Sequence, residues 1–167
     1  LWDENGRKNL FLDEADENGV SKLAYNFIGG LKKHARALAA VTSPTVNSYK
    51  RLVRGAPRSG ATWAPIFITY GGSNRTQMIR IPGPGRIECR TVDGSVNPYL
   101  AATAMLAAGL DGIKNQLPAG KRNDQNLYQV SAEELNSEGI DLLPANLNEA
   151  LDALEEDEVI LESLGDP

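Results

Sequence analysis

The sequence predicts an α+β fold, an antiparallel sheet with flanking helices. Three observations carry this. Three short segments rich in β-formers lie between residues 66 and 92, joined by Gly- and Pro-containing connections too short for crossover helices. Apolar residues recur at helical spacing over residues 21–40, and Asn97-Pro98 opens an alanine-rich stretch. Two capping-box patterns then begin acidic segments. With 167 residues and 41% hydrophobic side chains, the chain can bury one core of ordinary size.

Residues 1–20 are polar and turn-rich, with Asn5-Gly6 and Asn18-Gly19 as turn signals and a hairpin expected around Leu10, Phe11 and Leu12. Ser21 caps the first expected helix, which Leu23, Phe27, Leu31, Ala35 and Leu38 carry to about residue 40. Gly29-Gly30 weakens it by about 1 kcal/mol per glycine relative to alanine, so another element is expected to pack closely there. Residues 42–65 read as a long structured loop holding three prolines. Strands are expected over 66–70, 75–81 and 86–92, with Pro82-Gly83-Pro84-Gly85 breaking the chain before the third. Asn97 and Pro98 are cap and first-turn proline of a helix reaching residue 112 or 117. Short acidic helices are expected after Ser131 and Asn146, each with a Glu three residues on.

The formal charge of −5 argues against a nucleic-acid partner. Its distribution says more. Residues 131–167 carry twelve acids and no Lys or Arg, leaving residues 1–130 with all 17 basic residues against ten acids, a balance of +7. Residues 18–87 hold no acidic side chain; the first after the gap is Glu88, between Arg86 and Arg90. One Cys, Cys89, rules out an internal disulfide and suits a reducing, cytoplasmic setting. A single His, His34, leaves no parts for a zinc cluster, and it reads as a plain surface or core histidine. No apolar run approaches the length of a membrane span.

On a strand, Arg86, Glu88 and Arg90 share one face. A carboxylate between guanidiniums stays ionised and can ligate Mg²⁺ or Mn²⁺ while the arginines hold phosphate or carboxylate oxygens. The same pattern also suits a structural Arg–Glu–Arg cluster. Arg75 and Arg80 would face opposite ways on a regular strand, so a shared site requires a bulge or a strand end. Asn47-Ser48-Tyr49-Lys50-Arg51, with Arg54 and Arg58, adds cations without carboxylates, and Trp63 could line a pocket. No phosphate-loop motif is present, so a nucleotide would be held by arginines and metal. The sequon at Asn74-Arg75-Thr76 reads as coincidence.

Several segments, in order, resemble the glutamine synthetase family. They are Pro44-Thr45-Val46-Asn47-Ser48-Tyr49-Lys50-Arg51-Leu52, Asn74-Arg75-Thr76 with Ile79-Arg80-Ile81-Pro82, Arg86-Ile87-Glu88-Cys89-Arg90, and Asp93 with Asn97-Pro98-Tyr99-Leu100. Ala107-Ala108-Gly109-Leu110, Asn126-Leu127-Tyr128 and the run from Leu143 to Leu151 extend the resemblance over almost the whole chain. It implies ATP-dependent joining of glutamate to ammonia through γ-glutamyl phosphate, at a site using Mg²⁺ or Mn²⁺. Glu88 would ligate the metal that meets the nucleotide phosphates. Arg51 and Arg90 would hold glutamate and the transferring phosphoryl group, Arg75 and Arg80 would stabilise phosphate charge, and Arg86 would lie near the nucleotide.

The resemblance also implies a large ring-shaped homo-oligomer. Residues 1–167 would form the C-terminal portion of the catalytic domain, truncated at both ends and without the N-terminal domain or the upstream metal ligands, so the isolated polypeptide is expected to be inactive. After Arg51 the family has a loop whose Glu helps deprotonate ammonium, but residues 54–65 here contain no acid. In this the chain is more similar to the type III-like branch with γ-glutamylmethylamide synthetases, which makes methylamine the alternative acceptor. A non-catalytic glutamate- or polyanion-binding paralogue is the alternative of another class, against which Glu88 speaks. Tyr128 aligns with a tyrosine adenylylated in some bacterial relatives; regulation there is not expected.

Overall fold

The computed structural model describes residues 1–53, 64–72 and 75–165. Helix α1 (Lys22–Lys33) starts at Ser21, whose hydroxyl accepts from the Ala24 N–H. The expected single helix is two. The helix is interrupted at His34 (φ −94°, ψ 9°), and α2 (Ala35–Thr42) follows with no side-chain cap at its start. Apolar spacing continues through the break, so periodicity alone could not place it.

The sheet has order β1-β2-β3: β1 (Phe67–Gly71), β2 (Gln77–Gly83) and β3 (Arg86–Cys89). β2 and β3 are antiparallel as expected, but β1 runs parallel to β2, pairing Phe67 with Gln77 and Gly71 with Arg80. The expectation that short connections forbid parallel pairing fails because β1 is so short. Its far end lies roughly 14 Å from the start of β2, and six Cα steps reach about 20 Å. The outer edge of β1 is covered by residues 141–143: the Ile68 N–H donates to the Asp141 carbonyl and the Leu143 N–H to the Ile66 carbonyl, both at 2.8 Å.

The N-terminal residues make two small loops, closed by the bridges Trp2–Asn9 and Leu12–Val20, in place of one hairpin. They dock on the β2–β3 turn through Asn9 Nδ2, 2.9 Å from the Gly85 carbonyl, and the Gly85 N–H, 2.8 Å from the Gly19 carbonyl. Pro84 followed by Gly85 at φ 66° is the residue pair of a type II turn.

Helix α3 (Pro98–Lys114) begins at Asn97, which caps the Tyr99 and Leu100 amides. It crosses α1 so closely that a Cβ on Gly30 would lie 2.0 Å from the Ala108 carbonyl oxygen, the close approach expected for the glycine pair. Ser131 and Glu134 form the expected capping box of α4 (Ala132–Ser137). At α5 (Leu147–Glu155) only half of that device forms: Asn146 caps Glu149, while the Glu149 carboxylate reaches the Ala145 N–H. A further helix, α6 (Glu158–Leu164), follows a cap at Asp157 and buries Ile160 in the core shared by α1, α3 and the sheet. Among the described residues, no helix is long and apolar enough to cross a membrane.

Candidate active site

The β2–β3 hairpin builds the site. Its turn pairs Gly83 with Arg86, but a register shift below it sets Arg80 opposite Glu88. A one-residue slip exchanges the two faces of a strand, so this irregularity decides which β2 side chain Glu88 meets. Arg80 Nη2 lies 3.2 Å from Glu88 Oε2, and Arg90 Nε lies 3.6 Å from Oε1. The Glu88 side chain is 39% exposed, its partners 20% and 17%.

Arg75 precedes β2, at the strand end that a shared site requires, and the Arg90 guanidinium donates to its carbonyl. Arg51 follows the 3₁₀ turn at Ser48–Lys50, and its Nη2 donates to the Thr91 carbonyl at 3.0 Å. Burial pulls the Arg90 pKa down; Glu88 opposes that, and the charges of Arg80, Arg75 and Arg51 add to it. The charges of three other guanidiniums therefore bear on Arg90, itself beside the Glu88 carboxylate. Arg86 is exposed at the start of β3, and its side chain makes no ion pair among the described residues. The partner of Glu88 that the strand pattern suggested is thus replaced by Arg80 from the next strand.

Arg80 Nε is buried with no hydrogen-bond partner among the described residues. An orphaned donor beside excess positive charge fits an oxyanion such as a phosphate. For a divalent metal, Glu88 offers one carboxylate. No cluster of three His, Cys, Asp or Glu occurs among the described residues, so the remaining ligands of a six-coordinate Mg²⁺ would come from elsewhere.

Asp93, to which the sequence pattern assigned no role, lies at the border of this cluster. Burial raises its carboxyl, yet hydrogen bonds from Ser48 and Ser95 and the nearby Arg51 charge bring it below its ordinary value. Its Asp-Gly-Ser turn just beyond the arginine strand was the available signal. Cys89 faces away, with Sγ 3.3 Å from Thr91 Oγ1 and its thiol pushed up by burial, which disfavours a nucleophilic thiolate. The Tyr128 hydroxyl donates to the Ala64 carbonyl at 2.7 Å. Arg54, Arg58, Trp63 and Asn74 lie outside the described residues.

An arginine-framed carboxylate on a β-hairpin has the charge and the donors to receive phosphate or carboxylate oxygens. The family follows from comparison: the family model described as "Glutamine synthetase, catalytic domain" matches residues 1–167, and the chain belongs to that family. It is 56% identical over 163 residues to a glutamate–methylamine ligase of Methyloversatilis universalis, covering 96% of this chain and 37% of that protein. Against a glutamine synthetase of Rhizobium leguminosarum bv. phaseoli it is 47% identical over 165 residues, covering 99% and 37%. A solved GmaS/ADP complex matches with a TM-score of 0.82 and 52% identity, covering 93% of this chain and 35% of that one. The chain thus spans little more than a third of the length of these relatives.

Proposed function

We propose that this chain forms the glutamate- and phosphate-binding part of an ATP-dependent ligase that joins glutamate to a small amine. The observation that carries the reading is the Arg80 Nε that has no partner among the described residues, within a group of four arginines about Arg90 and Glu88. In such a reaction a γ-carboxylate oxygen of glutamate attacks the terminal phosphorus of ATP and ADP leaves. The amine then attacks the acyl carbon of γ-glutamyl phosphate and phosphate leaves. Charge neutralisation and positioning dominate the first step, and arginines supply both.

In this scheme Arg51 and Arg90 hold glutamate and the moving phosphoryl group, Arg75 and Arg80 bind phosphate oxygens, and Arg86 meets the nucleotide. Glu88 gives one ligand to Mg²⁺ or Mn²⁺, which when bound shields the phosphate charge. Methylamine is the acceptor favoured by the greater identity to a glutamate–methylamine ligase, 56% against 47% for the rhizobial glutamine synthetase. Ammonia, the first expectation from sequence, is the second reading, supported by the several glutamine synthetases at similar identity. A ring-shaped homo-oligomer of the whole ligase belongs to the same proposal.

ADP release by the full-length ligase carrying this chain tests the reading. Release that requires glutamate and an amine together is expected, with a higher kcat/KM for methylamine than for ammonia. Release independent of glutamate overturns the proposal, and an ammonia preference overturns only the acceptor. The 167 residues alone are expected to release none.

A further inference from the structure

We infer that His34 is a proton-linked clasp that fastens α6 to α3, because only the doubly protonated ring can donate to Asp111 and Asp157 at once. Nδ1 lies 2.6 Å from Asp157 Oδ2 and Nε2 lies 3.0 Å from Asp111 Oδ2, and the His34 side chain is 4% exposed. An ionised carboxylate only accepts, and a neutral imidazole has one N–H. Whichever nitrogen keeps its proton after the ring is neutralised, the other presents a lone pair to a carboxylate. The bridge from α3 through the ring to α6 is then cut.

The surroundings favour this arrangement of charge. Burial would raise the Asp111 carboxyl, but hydrogen bonds from His34 and Lys33 hold it below its ordinary value, so it remains an acceptor. Lys33 on α1 reaches Asp111 at 2.9 Å, and Asn115 Nδ2 donates to the other Asp111 oxygen at 2.7 Å. Asp157 Oδ1 caps α6 by accepting from the Ile160 N–H. Arg36 on α2, with Glu156 and Glu158 beside Asp157, completes the charged groups, bordering a cavity of about 400 Å³ that reaches the ring. With the ring charged, Lys33 and His34 balance Asp111 and Asp157; without that proton the four carry a net negative charge. Helix α6 has seven residues, too few to persist by itself, so its docking depends on Ile160, on Leu164 packed against the same core, and on this clasp.

The sign follows from linkage. The clasp holds while both ring nitrogens carry protons and opens once rising pH removes one, so the docking of α6 weakens toward alkaline pH. The test is imidazole ¹⁵N NMR on the 167-residue chain, with hydrogen exchange of the α6 amides corrected for intrinsic rate. We expect a doubly protonated ring at about pH 6, below the ordinary imidazole value, and α6 protection falling about tenfold across the ring's titration while α1 keeps its own. Asp157→Asn retains a good helix cap but removes one charge. In that variant α6 protection should change less with pH than in the parent chain. A singly protonated ring at that pH, α6 protection unchanged as pH rises, or the same pH response in the variant would each overturn the inference. If Asp157→Asn fails to fold, Asp111→Asn puts the same question from α3.

Discussion

Two charged clusters in this molecule are mirror images. On the β2–β3 hairpin one carboxylate, Glu88, sits between Arg80 and Arg90; among the helices one imidazole, His34, sits between Asp111 and Asp157. The first is partly exposed, retains excess positive charge and leaves Arg80 Nε without a partner among the described residues. The second is buried, and both ring nitrogens are engaged. Exposed pairs add little to stability, whereas losing one member of a buried set leaves a stranded charge. The hairpin cluster therefore keeps positive charge in reserve near the surface, whereas the helical one commits its groups to contacts between helices.

The sharpest way to break that contrast is His34→Leu, which strands two carboxylates. It should cost about 3 kcal/mol in urea unfolding of the 167-residue chain. A loss no larger than that of an exposed substitution would remove the helical cluster's structural role. Arg80→Met should do the opposite. The chain's stability should hold to within about 1 kcal/mol, because an orphaned donor leaves with the guanidinium. ATP affinity of the full-length ligase, measured by calorimetry, should fall about tenfold as a charge-assisted phosphate contact is lost.

The two clusters also differ in how far they could be read from sequence. Glu88 between arginines was visible because it ends a stretch of 70 residues, 18–87, without an acid. Its true partner, Arg80, was not, since that depends on the register shift between Arg80 and Gly83, a relation between strands. The caps at Ser21, Asn97 and Ser131 were legible because their hydrogen bonds close within a few residues. The break at His34 and the parallel course of β1 were not, since distant segments decide both. His34 itself finds its partners 77 and 123 residues away. Nothing in its helical neighbourhood announces them.

Asp111→Asn tests the helical cluster from its other side, with a smaller effect of about 1 kcal/mol at neutral pH, since the amide still accepts a hydrogen bond. Its value lies in the acid limb. The folded Asp111 carboxyl titrates below its ordinary value, so it contributes stability that is present above the unfolded value and lost as pH falls through the folded one. Urea midpoints between about pH 5 and pH 2 should therefore fall less steeply in the variant than in the parent chain. Parallel curves would mean that Asp111 gains nothing from its partners on folding.

The smallest expected change in stability comes from Glu88→Gln, and it separates the two meanings of an Arg–Glu–Arg cluster. If the carboxylate served to knit β2 to β3, its loss would leave two guanidiniums repelling each other across the strands and lower the unfolding midpoint clearly. The pair distances of 3.2 and 3.6 Å and the 39% exposure of the Glu88 side chain make that contribution weak, so the expected loss is within about 0.5 kcal/mol. Calorimetry of the full-length ligase should instead show ATP binding that responds less to added Mg²⁺, because an amide oxygen is a poorer ligand for a hard cation than a carboxylate. A clear loss of stability with an unchanged Mg²⁺ response would make the hairpin cluster the same kind of structural device as the one around His34.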